Sequence, residues 1–147
     1  MNDRYLFRGK RVDNGEWVIG SLAVPIGFCC TFRITYENLE GFACTQEVIP
    51  ETIGQCLGSK DKNGKLVFEG DIIKITRGKR QKFGFQPKVQ ITDIYYGNGA
   101  FRYRWEDGSG SVLDLNSVEI VKGYESVTQD VEVIGNIHQN SHLLGGE

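Results

Sequence analysis

Gly58–Asp71 reads GSKDKNGKLVFEGD and runs straight into Ile72-Ile73-Lys74-Ile75-Thr76. Asp61-Lys62-Asn63-Gly64 has the chemistry of a hairpin turn, because Asn and Gly tolerate positive φ and Asp bonds its own backbone amides. Leu66-Val67-Phe68 then has room only for a short strand. Glu69-Gly70-Asp71 is a second tight turn, and the β-branched run from Ile72 resumes a strand. Two tight turns around short strands are the pattern of small curled or barrel-like sheets.

The flanking segments repeat the pattern. Arg4–Arg8 reads as a strand, Asp13-Asn14-Gly15 as a turn and Glu16–Val24 as the strand that returns. Phe28–Tyr36 alternates with Phe28, Cys30, Phe32, Ile34 and Tyr36 on one face, which predicts a half-buried strand. Glu37–Gly41 is a polar turn after which Phe42–Val48 pairs back. Pro50–Gln55 reads as one helical turn, with Pro at its start and Gly54 ending it. Gly78–Lys88 reads as a basic loop. Val89–Tyr96 and Ala100–Glu106 are strands joined by Gly97-Asn98-Gly99. Asp107–Gly110 is a turn, Ser111–Leu115 a short strand, 116–123 a short helix or a loop, and Val131–His138 the last strand.

No window of helical length carries a 3.6-residue apolar stripe. The expectation is therefore an all-β chain: short strands in a curled or barrel-like sheet with one or two minor helical turns. It is read as one domain over residues 1–147, with 139–147 a weakly ordered tail.

Composition narrows the function classes. The formal net charge is −2, which argues against coating DNA with the whole surface. The charge is unevenly spread, however. Ile72–Thr92 holds Lys74, Arg77, Lys79, Arg80, Lys82 and Lys88 and no acid, whereas Glu106–Glu132 holds seven acids and only Lys122. The N-terminus lacks the apolar stretch of a signal peptide, and no apolar run is long enough to span a bilayer. The expectation is a cytoplasmic protein, away from membranes, with Cys29, Cys30, Cys44 and Cys56 as small core thiols.

Three groups of residues carry a family resemblance. The first is Phe7-Arg8-Gly9-Lys10 with Gly15-Glu16-Trp17-Val18 and Gly20-Ser21-Leu22. The second is Gly54-Gln55, Leu57-Gly58, Asp61-Lys62-Asn63-Gly64-Lys65 and Phe68-Glu69-Gly70-Asp71-Ile72-Ile73-Lys74. The third is Val133-Ile134-Gly135-Asn136-Ile137-His138, then Asn140 and Leu143-Leu144. In order and spacing the chain resembles the YopX family of phage and prophage proteins from near residue 5 to residue 144. The central group is the specific part, and Arg77–Gly123 contributes little. The resemblance implies a phage or prophage source and a largely β fold. It implies no activity and no functional residues.

The residues themselves offer few chemical constellations. The adjacent Cys29 and Cys30 point to opposite faces of an extended chain, and no C-x2-C pair exists, so no metal site is expected. His138 and His142 lie in a Gly- and Asn-rich tail. Ser109 sits in Gly108-Ser109-Gly110 without the surroundings of a nucleophile. Glu69 and Asp71, with Asp61 nearby, have the spacing to hold a hard cation, but turn formation explains them better. No phosphate loop is present. The sequence thus predicts no enzyme and no cofactor.

The specific hypothesis is nucleic-acid binding. Arg77, Lys79, Arg80 and Lys82 would neutralise phosphates, Phe83 and Phe85 would stack bases, and Arg104 would add a cation from the Phe101–Trp105 strand, itself a candidate platform. The bland alternative is a solvated basic loop over an aromatic core face. A competing binding class is a protein partner, or the chain itself as a homo-oligomer through exposed strand edges and opposed basic and acidic halves.

Overall fold

The computed structural model describes residues 2–28, 30–81, 84–105, 107–113, 115, 120–122 and 125–145; for 79–81, 84–87, 120–122 and 125–128 it describes the backbone alone. The chain forms two compact units, residues 1–58 and 59–147.

In the first unit a 3-10 turn over Asp3–Tyr5 leads to β1 (Phe7–Lys10). The Asp13–Gly15 turn, with Gly15 at φ +71°, returns the chain as β2 (Trp17–Ala23), in register from Lys10↔Trp17 to Phe7↔Gly20. β3 (Arg33–Glu37) pairs with β2, and β4 (Ala43–Glu47) pairs with β3. Asn38 Oδ1 accepts the N–H groups of Glu40 (3.0 Å) and Phe42 (2.9 Å), and Gly41 at φ +85° completes that turn. A 3-10 turn at Pro50–Thr52 precedes β5 (Gly54–Lys60), which pairs with β1 on its other side. The sheet curls until the ends of β1 and β4 meet at an isolated Arg11–Val48 bridge. Val18, Ile34 and Val48 form its core, with Phe7, Leu22, Phe32, Tyr36 and Ile53 packed around them.

Two expectations for this unit are corrected. The nine-residue alternation from Phe28 does not make a nine-residue strand. β2 offers partners only for Arg33–Thr35, so Phe28 lies fully exposed before β3 begins. Cys30 is exposed for the same reason. Cys44 is half-buried and Cys56 is fully buried, while Cys29 lies outside the described residues.

In the second unit the Asp61–Lys65 turn leads to β6 (Leu66–Phe68). Gly70, at φ +87°, turns the chain into β7 (Asp71–Gln81), which pairs with β8 (Gly84–Gly97). The two-residue turn Asn98-Gly99, both at positive φ, connects to β9 (Ala100–Arg104). β10 (Gly110–Val112) pairs with β9. β11 (Ile120–Lys122) and β12 (Glu125–Asn136) follow, and a helix α1 (His142–Gly145) lies in the tail. This sheet runs β10-β9-β8-β7-β12-β11, antiparallel throughout. Ile72, Ile73, Ile75, Ile94 and Val131 are its most buried apolar side chains.

The expected basic loop at Gly78–Lys88 is instead the outer half of the β7–β8 ribbon, in register from Ile72↔Asp93 to Gln81↔Gly84. Gly78 and Pro87, read as loop residues, face each other in this ladder. Pro87 is tolerated because β9 pairs with β8 only over Ile94–Gly97; a strand with one side open can carry a residue that lacks an N–H. The last strand is also longer than its apolar pattern indicates, because β12 follows β7 for most of its length.

Candidate nucleic-acid interface

Side chains two apart on a strand share a face, and directly paired residues face the same way. Arg77 pairs with Lys88 on β8 and with Gln129 on β12, and Gln90 is two residues beyond Lys88. All four therefore project from one side of the sheet, where Tyr103 of β9 and the adjoining Trp105 also lie.

Arg77 is held on every side. Its Nη2 donates to Tyr103 Oη (2.7 Å), its Nη1 to Gln90 Oε1 (3.1 Å) and its Nε to Gln129 Oε1 (3.4 Å). The guanidinium carbon sits 4.8 Å from the Trp105 ring centre and 5.5 Å from that of Tyr103, within the range of cation–π attraction. Tyr103 and Trp105 lie 5.4 Å apart, tilted by 58°. Trp105 Nε1 donates to Ser111 Oγ (2.6 Å). Trp105 keeps 36% of its surface open, so this ring is a positioned surface group as well as packing.

Beside it lies a cavity of about 420 Å³ lined by Lys88, Gln90, Trp105, Asp107 and Ser109. A second, of about 350 Å³, reaches from Val89 to Asp93 along β8 and includes Arg104, Trp105 and Leu144. Asp107 Oδ1 accepts from Ser109 Oγ (2.6 Å) and Ser109 N–H (2.9 Å). Those bonds hold the Asp107 carboxyl below the ordinary carboxylate range, so it is anionic at neutral pH. Ser109 is thereby a turn-forming donor. Arg104 pairs with Asp93 on β8 and stands 4.1 Å over the Tyr95 ring. The Asp93 hydrogen bond raises its pKa further.

The remaining sequence-selected residues are placed as follows. Lys79 pairs with Gln86 and Arg80 with Phe85 in the outer part of the ribbon. Lys82 and Phe83 lie outside the described residues. Arg77 on β7 and Arg104 on β9 are separated by β8, and each is engaged with its own aromatic partners. Sequence reasoning left Lys88, Gln90, Gln129, Asp107 and Ser109 out of the site. The two-residue spacing of Lys88 and Gln90 was a usable signal once β8 was extended through them. The acids of β12 adjoin the basic strand directly, Glu132 opposite Lys74 and Asp130 opposite Thr76, so on β12 the acidic stretch neighbours the basic one.

Of the carboxylates considered for a hard cation, Asp61 and Asp71 serve turns. Asp61 Oδ1 accepts the N–H groups of Asn63 and Lys65, and its Oδ2 accepts that of Val133, each at 2.9 Å. Asp71 Oδ2 accepts the N–H of Phe68 (2.8 Å). Among the described residues no three His, Cys, Asp or Glu side chains gather as a metal-binding set, and no helix is long and apolar enough to cross a membrane.

Fold and site together define an antiparallel β protein of two units, the second carrying a basic ribbon with an aromatic platform at its flank. The family model described as YopX protein matches residues 6–145, and the chain belongs to that family. Neither a curated protein nor a solved structure matches it.

Proposed function

We propose that this chain is a phage-related accessory protein, working in the cytoplasm of a bacterial host, that binds nucleic acid and catalyses no reaction. One observation carries the reading. Segment 73–92 holds no acid, and its residues 73–81 pair antiparallel with 84–92; at the flank of this ladder exposed Lys88 adjoins a Trp105 ring braced by Arg77. Cations spaced along extended strands contact successive phosphates, and a fixed indole offers a stacking surface. Arg77 and Arg104, already engaged with protein groups, shape the surface, while Lys79, Arg80, Lys82 and Lys88 supply the charge for phosphates.

The test is fluorescence anisotropy with a labelled oligonucleotide at low salt, comparing the natural chain with Lys79→Glu/Arg80→Glu/Lys82→Glu/Lys88→Glu. Micromolar or tighter binding that the reversal abolishes supports the proposal. Equal binding by both proteins sinks it.

A second reading has its own observation. The side of β8 away from β7 has no strand partner over residues 84–93 among the described residues, and Val89 and Ile91 are exposed there. An open edge of that length suits pairing with a second copy. Sedimentation analysis without nucleic acid would then show a mass that grows with concentration.

A further inference from the structure

We infer that the 420 Å³ cavity beside Trp105 receives one unpaired nucleobase, so that the ligand is single-stranded nucleic acid. The inference rests on the nucleic-acid reading above and narrows its ligand class.

Four features converge. First, the Trp105 ring is fixed. Arg77 lies against it at 4.8 Å and is itself anchored by Tyr103, Gln90 and Gln129, while Ser111 holds the indole nitrogen. A ring immobilised before binding loses little freedom on stacking. Second, the ring lines both cavities along β8 and is partly open, so surface remains for a planar partner.

Third, charge sets the direction of a bound nucleotide. Exposed Lys88 attracts phosphate, and the Asp107 carboxylate, kept ionised by Ser109, repels it. A nucleotide therefore lies with its phosphate toward Lys88 and its base edge toward Asp107, where base N–H groups meet a carboxylate oxygen. Fourth, the cavity falls within the volume range of small-ligand sites, so one base fits and a base pair within a duplex does not present its face. In a duplex the faces are stacked on one another, whereas single strands splay bases onto aromatic side chains.

The test titrates the full chain with a labelled 12-nucleotide single strand and with the duplex of the same sequence at low salt, reading both anisotropy and tryptophan fluorescence. The inference expects single-strand affinity at least tenfold above duplex affinity, quenching of tryptophan emission by the single strand, and loss of that quenching in Trp105→Phe, where Trp17 is the remaining emitter. Trp105→Ala is expected to weaken single-strand binding by on the order of tenfold, while Trp105→Phe keeps part of it. The quenching measurement uses the natural chain and so does not depend on whether a variant folds. Equal single-strand and duplex affinity without quenching overturns the base pocket and leaves the basic-ribbon reading standing. No binding of either oligonucleotide at low salt overturns both.

Discussion

Replacing Asp61 by Ala removes the latch that fastens the Asp61–Lys65 turn to β12. The carboxylate accepts three backbone N–H groups at 2.9 Å, two from its own turn and one from Val133, and Asp61 is only 7% exposed. Lys62 N–H adds a backbone bond to Val131 O (3.0 Å), which holds the turn in reach. A hydrogen bond to a charged group contributes about 1.5–3 kcal/mol. Water can replace the carboxylate at Asn63 and Lys65, which are exposed, but less well at half-buried Val133. The net loss is therefore about 3 kcal/mol, or roughly 10 °C in Tm for a chain of this size. Asp61→Asn keeps the shape but sets an NH2 group against one of the donors, and is expected to lose about 2 kcal/mol.

The pH dependence follows from the same contacts. Burial pushes the Asp61 carboxyl up, but the N–H groups of Val133, Lys65 and Asn63 outweigh it, and the folded-state pKa lies below its ordinary value. A lowered folded-state pKa gives stability that is present above the unfolded value, about 3.9, and is lost as pH falls through the folded value. The gap between natural chain and Asp61→Ala should thus be full at pH 7 and shrink below about pH 4. Urea denaturation followed by circular dichroism at both pH values measures it. A gap under about 1 kcal/mol at pH 7, or one that does not shrink in acid, would refute the reasoning.

Gly20→Ala places a Cβ against the Thr35 backbone carbonyl across β2–β3, where the strands cannot part without losing their ladder. The expected cost is about 3 kcal/mol, read as a lowered urea midpoint; a neutral result would contradict the register. Gly135→Ala meets Asn140 at 2.6–2.8 Å beside the β12 bulge and should cost about 2 kcal/mol by the same assay. Arg77→Lys keeps the charge but loses the planar fork shared by Tyr103, Gln90 and Gln129, and should destabilise by about 2 kcal/mol. The near-ultraviolet circular dichroism of Trp105 should change with it, and an unchanged spectrum would mean that Arg77 does not set the ring.

Much of the fold was legible because turn chemistry is local. Gly15, Gly41, Gly64 and Asn98-Gly99 all adopt the positive φ that their turns required, and these fix the hairpins on either side. The family resemblance rested on the same local motifs, among them the Asp61–Lys65 turn. What failed was strand extent. Whether Phe28–Phe32 joins β3 depends on what β2 has left to pair with, and whether Gly78–Lys88 is loop or ladder depends on a partner strand. Both are long-range matters that a period-2 pattern does not carry. The site suffered from the same gap: with a loop assumed at Gly78–Lys88, nothing placed Lys88 and Gln90 beside Trp105. Asp61 was read as a turn former, but its bond to Val133, 72 residues away, has no sequence signal.

The central claim is that the basic ribbon neutralises nucleic-acid phosphates, and the most direct measurement is the salt dependence of oligonucleotide affinity. With about four phosphate contacts from Lys79, Arg80, Lys82 and Lys88, raising salt from about 50 to about 200 mM should weaken single-strand binding by roughly fiftyfold, on a slope of about −0.7 per contact. Reversal of the four cations should flatten that slope. Affinity that is independent of salt, or no affinity at about 50 mM, would contradict the account and point to the open edge of β8 and a protein partner.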